Sequence, residues 1–366
     1  MKIRNLLSKL EARAGPNQRL VEAFGIDNSF TTTDDSRCKE FRTKAEEALV
    51  SRTRDWAAWS SMAEVIVRNE LEAVEELGRT EIRLVTLVQT LTLKIALHVL
   101  FKSEPDLVQN AAYESIAEDI NEIWMSSKKR RNLDWSDSTD LHQLLEDILP
   151  PPTSSLVPQR NPLNLILPAY ETLWRVVLRC FVEVVYRDPT SREAAGWREV
   201  LKDFLHDPTR EQLDDASKLG VSAAWIAKES LRLYPPTRRV YRHYKLGSQE
   251  RVITAAADVE TAQRDPAVWG SDAARFVPTR WRSINRARES RIFMAFGARP
   301  FSCPAKENFG PRMIALLVAA LSEGVGEGWH LVAYHTEDDL IEGPMKTGRE
   351  SYRTMYLRRN LEEAYG

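Results

Sequence analysis

Phe293-Met294-Ala295-Phe296-Gly297-Ala298-Arg299-Pro300-Phe301-Ser302-Cys303-Pro304-Ala305 is the stretch on which the reading of this chain turns. The pair Phe296-Gly297 precedes a single cysteine by a short loop, and an apolar helical pattern follows. Pro304 lacks an N–H and fits the first position of a helix. Met313, Leu316, Leu317, Ala320 and Leu321 then form a core stripe, and Pro311 predicts a kink or a late helix start. A thiol between a tight loop and a helix start meets free backbone N–H groups and the positive end of the helix dipole. Both are expected to lower its pKa and steady a negative sulfur.

Two upstream segments add to this. The first reads Lys228-Glu229-Ser-Leu-Arg232-Leu-Tyr-Pro235-Pro236-Thr-Arg238-Arg239-Val-Tyr-Arg242. Glu229 and Arg232 share one face of a helix that the two prolines terminate. The second carries Phe276-Val-Pro278-Thr-Arg280-Trp281. The order Glu-x-x-Arg, Phe-x-Pro-x-Arg-Trp, Phe-Gly…Cys resembles the haem-thiolate cytochrome P450 superfamily. The resemblance covers roughly residues 160–366 and is faint before that.

It implies a mainly α fold with small β-sheets and one b-type haem, iron protoporphyrin IX, with Cys303 as the iron's thiolate ligand. Such a ligand is soft, anionic and electron-releasing, which favours O–O cleavage. Phe296, Gly297 and Arg299 fall in the cofactor loop. The family prefers Gly four residues before the cysteine and a cation two before it; here Arg299 and Phe301 stand there. A non-Gly residue implies altered loop geometry. Arg239 and Arg242 follow the Glu-x-x-Arg helix where the family places arginines that contact haem carboxylates; the guanidinium fork suits a carboxylate. Glu229, Arg232 and Arg280 resemble the family's buried Glu-Arg-Arg network, a structural element. The family's Trp-x-x-x-Arg clamp is not met at Trp56 or Trp59, which are followed by Ser60 and Ala63.

From about Pro168 the chain reads as a long apolar helix, because Pro168 would disrupt any helix continued from upstream. Pro168-Ala169-Tyr170-Glu171-Thr172 resembles the Ala-Gly-x-Glu/Asp-Thr of the family's oxygen-binding helix, with Ala169 in place of the glycine. The resemblance gives Glu171 and Thr172 the catalytic, proton-delivering positions.

The whole chain of 366 residues, 43 % hydrophobic, can bury a large core. It is expected to form one haem-thiolate domain over 1–366, with an N-terminal helical part (1–159) and a haem-binding core (160–366). Typical family members are longer, so the N-terminal part is read as abridged, whether by nature or as a fragment. A formal charge of −2 gives no electrostatic reason to expect nucleic acid. Three cysteines are too few for a disulfide framework and fit a reducing compartment. Cys180 reads as a core residue and Cys38 as part of a polar loop.

The N-terminus is amphipathic and charged, without a secretory signal or transmembrane anchor. The expectation is a cytoplasmic or soluble protein, with peripheral membrane association left open. Residues 39–78, 80–102 and about 106–125 carry helical patterns. Lys128–Arg131 reads as a solvated helix end, and Pro150–Pro158 as a long connection. Beyond Ala320, Trp329–Tyr334 and Arg353–Arg358 flank a turn at Gly343-Pro344 and suggest a hairpin. The histidines lack ligand spacing and read as ordinary polar residues.

The function implied is a monooxygenase of secondary metabolism. It would oxidise a small lipophilic molecule with dioxygen and electrons from an NADPH-dependent reductase. The alternatives are a redox-neutral haem enzyme of the same family (isomerase, dehydratase or cyclase) or a non-catalytic haem-binding member.

Overall fold

The computed structural model describes residues 7–50, 55–104, 110–129, 133–245, 251–307, 309–335, 340 and 342–360, the side chain of Val50 excepted. The helices run in chain order α1 Lys9–Phe24, α2 Asp35–Val50, α3 Trp56–Glu76, α4 Leu84–Phe101, α5 Asn110–Lys129, α6 Thr139–Ile148 and α7 Leu163–Val185. They continue with α8 Arg192–His206, α9 Arg210–Asp214, α10 Ala223–Leu233, α11 Val259–Gln263, α12 Pro266–Trp269, α13 Arg286–Ile292 and α14 Gly310–Val325. The strands are β1 Glu81–Arg83, β2 Arg239–Tyr244, β3 Ile253–Asp258, β4 Trp329–Ala333 and β5 Met355–Arg359. The expected mainly helical fold with small sheets is what the chain adopts.

Two compact units share the chain: Met1–Ser51, Ala96–Glu171 and Thr237–Val259 in the first, Arg52–Ile95, Thr172–Pro236 and Glu260–Gly366 in the second. In the first, α1 packs on β2, α5 and the short turn Trp135–Asp137. Gly15 allows the closest approach, because a Cβ there would fall 2.1 Å from the His243 ring. β2 and β3 form a two-stranded antiparallel sheet.

In the second unit, α14 packs against α3, α8 and α10, and its residues from Met313 to Ser322 are all buried. The sheet β1-β5-β4 is antiparallel, with Leu331 paired to Leu357. β4 and β5 are the expected C-terminal strand pair.

Several local expectations need correction. Cys38 lies in α2, not in a loop, and is buried. The helix expected from Pro168 begins at Leu163 and contains Pro168. Proline leaves the carbonyl four residues back without its helical donor; here that carbonyl, of Asn164, accepts from the Asn28 side chain at 3.2 Å. A tertiary contact thus replaces the missing bond.

The pattern from 106 resolves into α5; residues 106–109 lie outside the described residues. Lys128 and Lys129 are exposed at its end, while Arg130 and Arg131 also lie outside. Only α4 among the described helices is long and apolar enough to cross a membrane, but 78 % of it is buried. It holds Lys94 in a buried 3.1 Å ion pair with Glu70, the signature of a core helix.

Candidate functional site

The cysteine loop forms because three local devices agree. Gly297 has φ +68°, a left-handed conformation that glycine adopts without a Cβ penalty. Its N–H donates to Met294 O at 2.9 Å, and Phe301 N–H to Ala298 O at 3.0 Å. The loop closes where Cys303 N–H donates to Phe296 O at 2.8 Å. Gly310 lies under the Phe296 ring, where a Cβ would approach to 2.9 Å. Phe296 also packs edge-on to Phe293, and Phe293 on Trp281.

Cys303 is exposed and caps a three-residue 3-10 turn, Pro304–Lys306. α14 starts only at Gly310, with Pro311 in its first turn, the late start that Pro311 predicts. This corrects the expected acid thiol. No long helix begins at the sulfur, and crowding by protein atoms pushes the thiol pKa up, opposed by a hydrogen bond from the Ala305 amide. Arg299 is exposed and adopts no left-handed conformation; the positive φ falls at Gly297 instead.

Glu229, Arg232 and Arg280 come together in one buried cluster. Ser222 caps α10 through Trp225 N–H, and the helix ends at Leu233, just ahead of the prolines. Glu229 accepts five hydrogen bonds: from Arg232 Nε and Nη2, Val277 N–H and Arg280 Nε, each at 2.9 Å, and from Trp281 Nε1 at 3.1 Å. Arg232 spends its other donors on the carbonyls of Gln263, Ala273 and Arg275. Arg280 binds Trp269 O and Asp272 as well. Trp281, quoted in the motif but given no role there, is a full member of the cluster.

Arg239 and Arg242 belong to the first unit. Arg239 is exposed and pairs with Asp258 across the β2–β3 register at 2.9 Å. Arg242 is half-buried, and burial pulls its pKa down. Arg13 on α1 feels the charges of both Arg242 and Arg42 on α2. Arg13 is buried, donates to Ser29 O at 2.8 Å and lies 4.3 Å over the Phe30 ring. Burial first, then the Arg242 and Arg42 cations, bring its pKa down to about 10, while Cys38 acts in the opposite direction.

Arg42 also lies 3.9 Å from Glu46, one helical turn on. Sequence reading missed Arg13 and Arg42. The available signal was Cys38-x-x-x-Arg42, one helical turn apart on a face that turns inward.

Glu171 is buried and Thr172 half-buried, adjacent on α7. Trp56 and Trp59 pack edge-on at 4.8 Å, and both meet the Phe309 ring as α3 meets α14. His142 bonds Ser155 and Trp135 O, a core role. No cluster of His, Cys, Asp or Glu that could hold a metal occurs among the described residues.

The fold and the ordered motifs agree with three comparisons. The cytochrome P450 family model matches residues 197–320. That match, together with the relatives and solved structures that follow, supports the cytochrome P450 superfamily. It is 33 % identical over 128 residues to a putative cytochrome P450 CYP13A1 of Caenorhabditis elegans, covering 31 % of this chain and 24 % of that protein. It is 27 % identical over 138 residues to cytochrome P450 714A2 of Arabidopsis thaliana, covering 34 % and 26 %. The matched part thus spans about a quarter of each of these relatives.

Among solved P450 structures, a mutant P450DA heme domain superposes with TM-score 0.64 over 96 % of this chain and 82 % of its own, at 15 % identity. CYP175A1 from Thermus thermophilus does so with TM-score 0.60 over 97 % and 86 %, at 16 % identity. These share the fold. The P450 family implies a haem cofactor, and the second unit offers a donor that fits its iron: an accessible thiol with the Ala305 amide at its sulfur.

Proposed function

We propose that this chain is a haem-thiolate monooxygenase, one domain over 1–366, acting on a small lipophilic molecule in secondary metabolism. The carrying observation is the Cys303 loop, closed by the Cys303 N–H on the Phe296 carbonyl, with an accessible thiol that accepts from the Ala305 amide. Haem b, when bound, supplies dioxygen activation with electrons from an NADPH-dependent reductase.

Cys303 would hold the iron, and the Ala305 amide would favour the anionic sulfur. Phe296 and Gly297 shape the loop, and Arg299 adds a cation at its surface. Arg242 would bind a haem carboxylate, because the guanidinium fork suits an anionic partner. Arg239, held by Asp258, keeps β2 in register. Glu229, Arg232 and Arg280 would support the loop without touching the reaction. Glu171 and Thr172 would manage protons, the carboxyl as donor and Thr172 Oγ1 as relay.

The test supplies reductase and compares product formed with NADPH consumed. Thr172→Ala should keep the haem spectrum yet divert reducing equivalents to hydrogen peroxide, with about tenfold less product per NADPH, or roughly 1.4 kcal/mol of barrier. Unchanged coupling removes Thr172 from the mechanism. Turnover without reductant favours the redox-neutral alternative.

A further inference from the structure

Three buried donor atoms of the second unit lack an acceptor, and they belong to one cluster. Trp56 Nε1, Trp59 Nε1 and Arg312 Nε make no hydrogen bond, although Trp56 is 3 % and Trp59 0 % exposed. α3 carries both tryptophans, and α14 carries Arg312 in its first turn. The Arg312 guanidinium lies 4.1 Å over the Trp56 ring, which meets Trp59 and Phe309. An indole N–H and a guanidinium can only donate. Buried polar groups are normally bonded, so donors left over in one place call for an acceptor that the chain does not supply.

Arg312 also lines a cavity of about 60 Å³, room for several waters or one small oxyanion. The other charges on its wall cancel in pairs. Arg210 binds Asp214 at 2.6 Å, Lys228 binds Glu289 at 3.0 Å, and Glu307 has Arg286 at 3.9 Å. Lys306 and Arg312 are the wall cations with no carboxylate partner among the described residues. Arg312 Nη2 donates to the neutral carbonyl of Pro208. Burial, and then the Arg210 cation, bring the Arg312 pKa down to about 10, with Glu211 opposing. A cation held in that way is stabilised by an anion.

We propose that this corner of the second unit is an oxyanion site, taking a phosphate or carboxylate group. Arg312 and Lys306 supply the charge, and the Trp56 and Trp59 N–H groups are donors with no other partner. Arginine suits the role because its planar fork can bind two oxygens at once. Two sources share this chemistry: a free phosphate or carboxylate compound, and a carboxylate of the haem. The site rests on the unpartnered donors and stands without the haem reading.

Isothermal titration of inorganic phosphate into the haem-free full chain tests it. Saturable one-to-one binding is expected. Arg312→Gln should weaken binding about tenfold or more, and Lys306→Gln about threefold. Trp56→Phe and Trp59→Phe each keep a ring and delete one donor, and each should weaken it about threefold to tenfold. Far-ultraviolet circular dichroism identifies any variant that fails to fold. Repeating the titration on loaded protein separates the sources. Phosphate excluded by haem, but not by haem dimethyl ester, assigns the site to a haem carboxylate. Phosphate binding unchanged by haem assigns it to a free oxyanion. A haem-free chain that binds no phosphate, or folded variants that all bind it as the wild type does, would overturn the proposal.

Discussion

The Glu229 cluster and the Cys303 loop belong to the same unit and to the same set of sequence motifs, yet they are built on opposite terms. Around Glu229 the charged groups are saturated: both arginines use all their N–H groups, and the carboxylate receives five bonds. The cluster lies at 0 % exposure for Glu229 and Arg232. Around Cys303 the backbone is fixed by turns, but the thiol is exposed and its one hydrogen bond comes from Ala305. Buried charges are tolerated only when saturated. A metal ligand must instead keep an open valence. The contrast separates what holds the loop from what the loop offers.

Removing a charge from the saturated side should cost most. Glu229→Ala leaves Arg232 and Arg280 buried without their counter-ion, at about 3–5 kcal/mol. Denaturant unfolding should read that loss, with haem-poor, aggregation-prone protein on expression. A variant as stable as the wild type would end the distinction between the two regions.

Trp281→Phe is a finer cut. It deletes the indole donor to Glu229 and keeps the aromatic contacts with Trp269 and Phe293. The loss should be about 1.5–3 kcal/mol, the range for a hydrogen bond to a charged group. A loss as large as that of Glu229→Ala would mean the ring, and not the bond, matters.

The open side should respond in the reverse way. Cys303→Ala should change stability by no more than about 0.5 kcal/mol, as an exposed substitution does. It should nevertheless abolish the red-shifted Soret band of the reduced, CO-bound protein. In the haem-free protein a maleimide should label Cys303 far faster than buried Cys38 and Cys180. Haem should protect it. Retention of the band in the variant, or equal labelling with and without haem, would remove Cys303 as the ligand.

Much of the second unit was legible in the sequence because its signals are local. Two prolines stop α10, Pro311 opens α14, and alternating apolar residues mark β4 and β5. Glu229 and Arg232 lie on one helical turn, so their pairing follows from spacing alone. Arg280 and Trp281 entered through motif order, which stands in for a distance of some fifty residues along the chain.

The first unit was less legible. Cys38 read as a loop residue because its neighbours are charged, yet α2 turns it inward. Pro168 read as a helix start because local chemistry disfavours proline in a helix interior. Asn28, distant in sequence, supplies the bond that proline cannot.

The sequence by itself determined the helical class, the motif order and the glycine turn ahead of Cys303, since each depends on periodicity or on residues close along the chain. Tertiary structure decided the rest. It saturated Glu229 with donors from Val277 and Trp281 and set the charges of Arg42 and Arg242 acting on buried Arg13. It also set the Cys303 thiol on a short turn, where crowding raises its pKa. Burial and charge act through space, and their outcome depends on which distant residues the fold brings within a few ångströms.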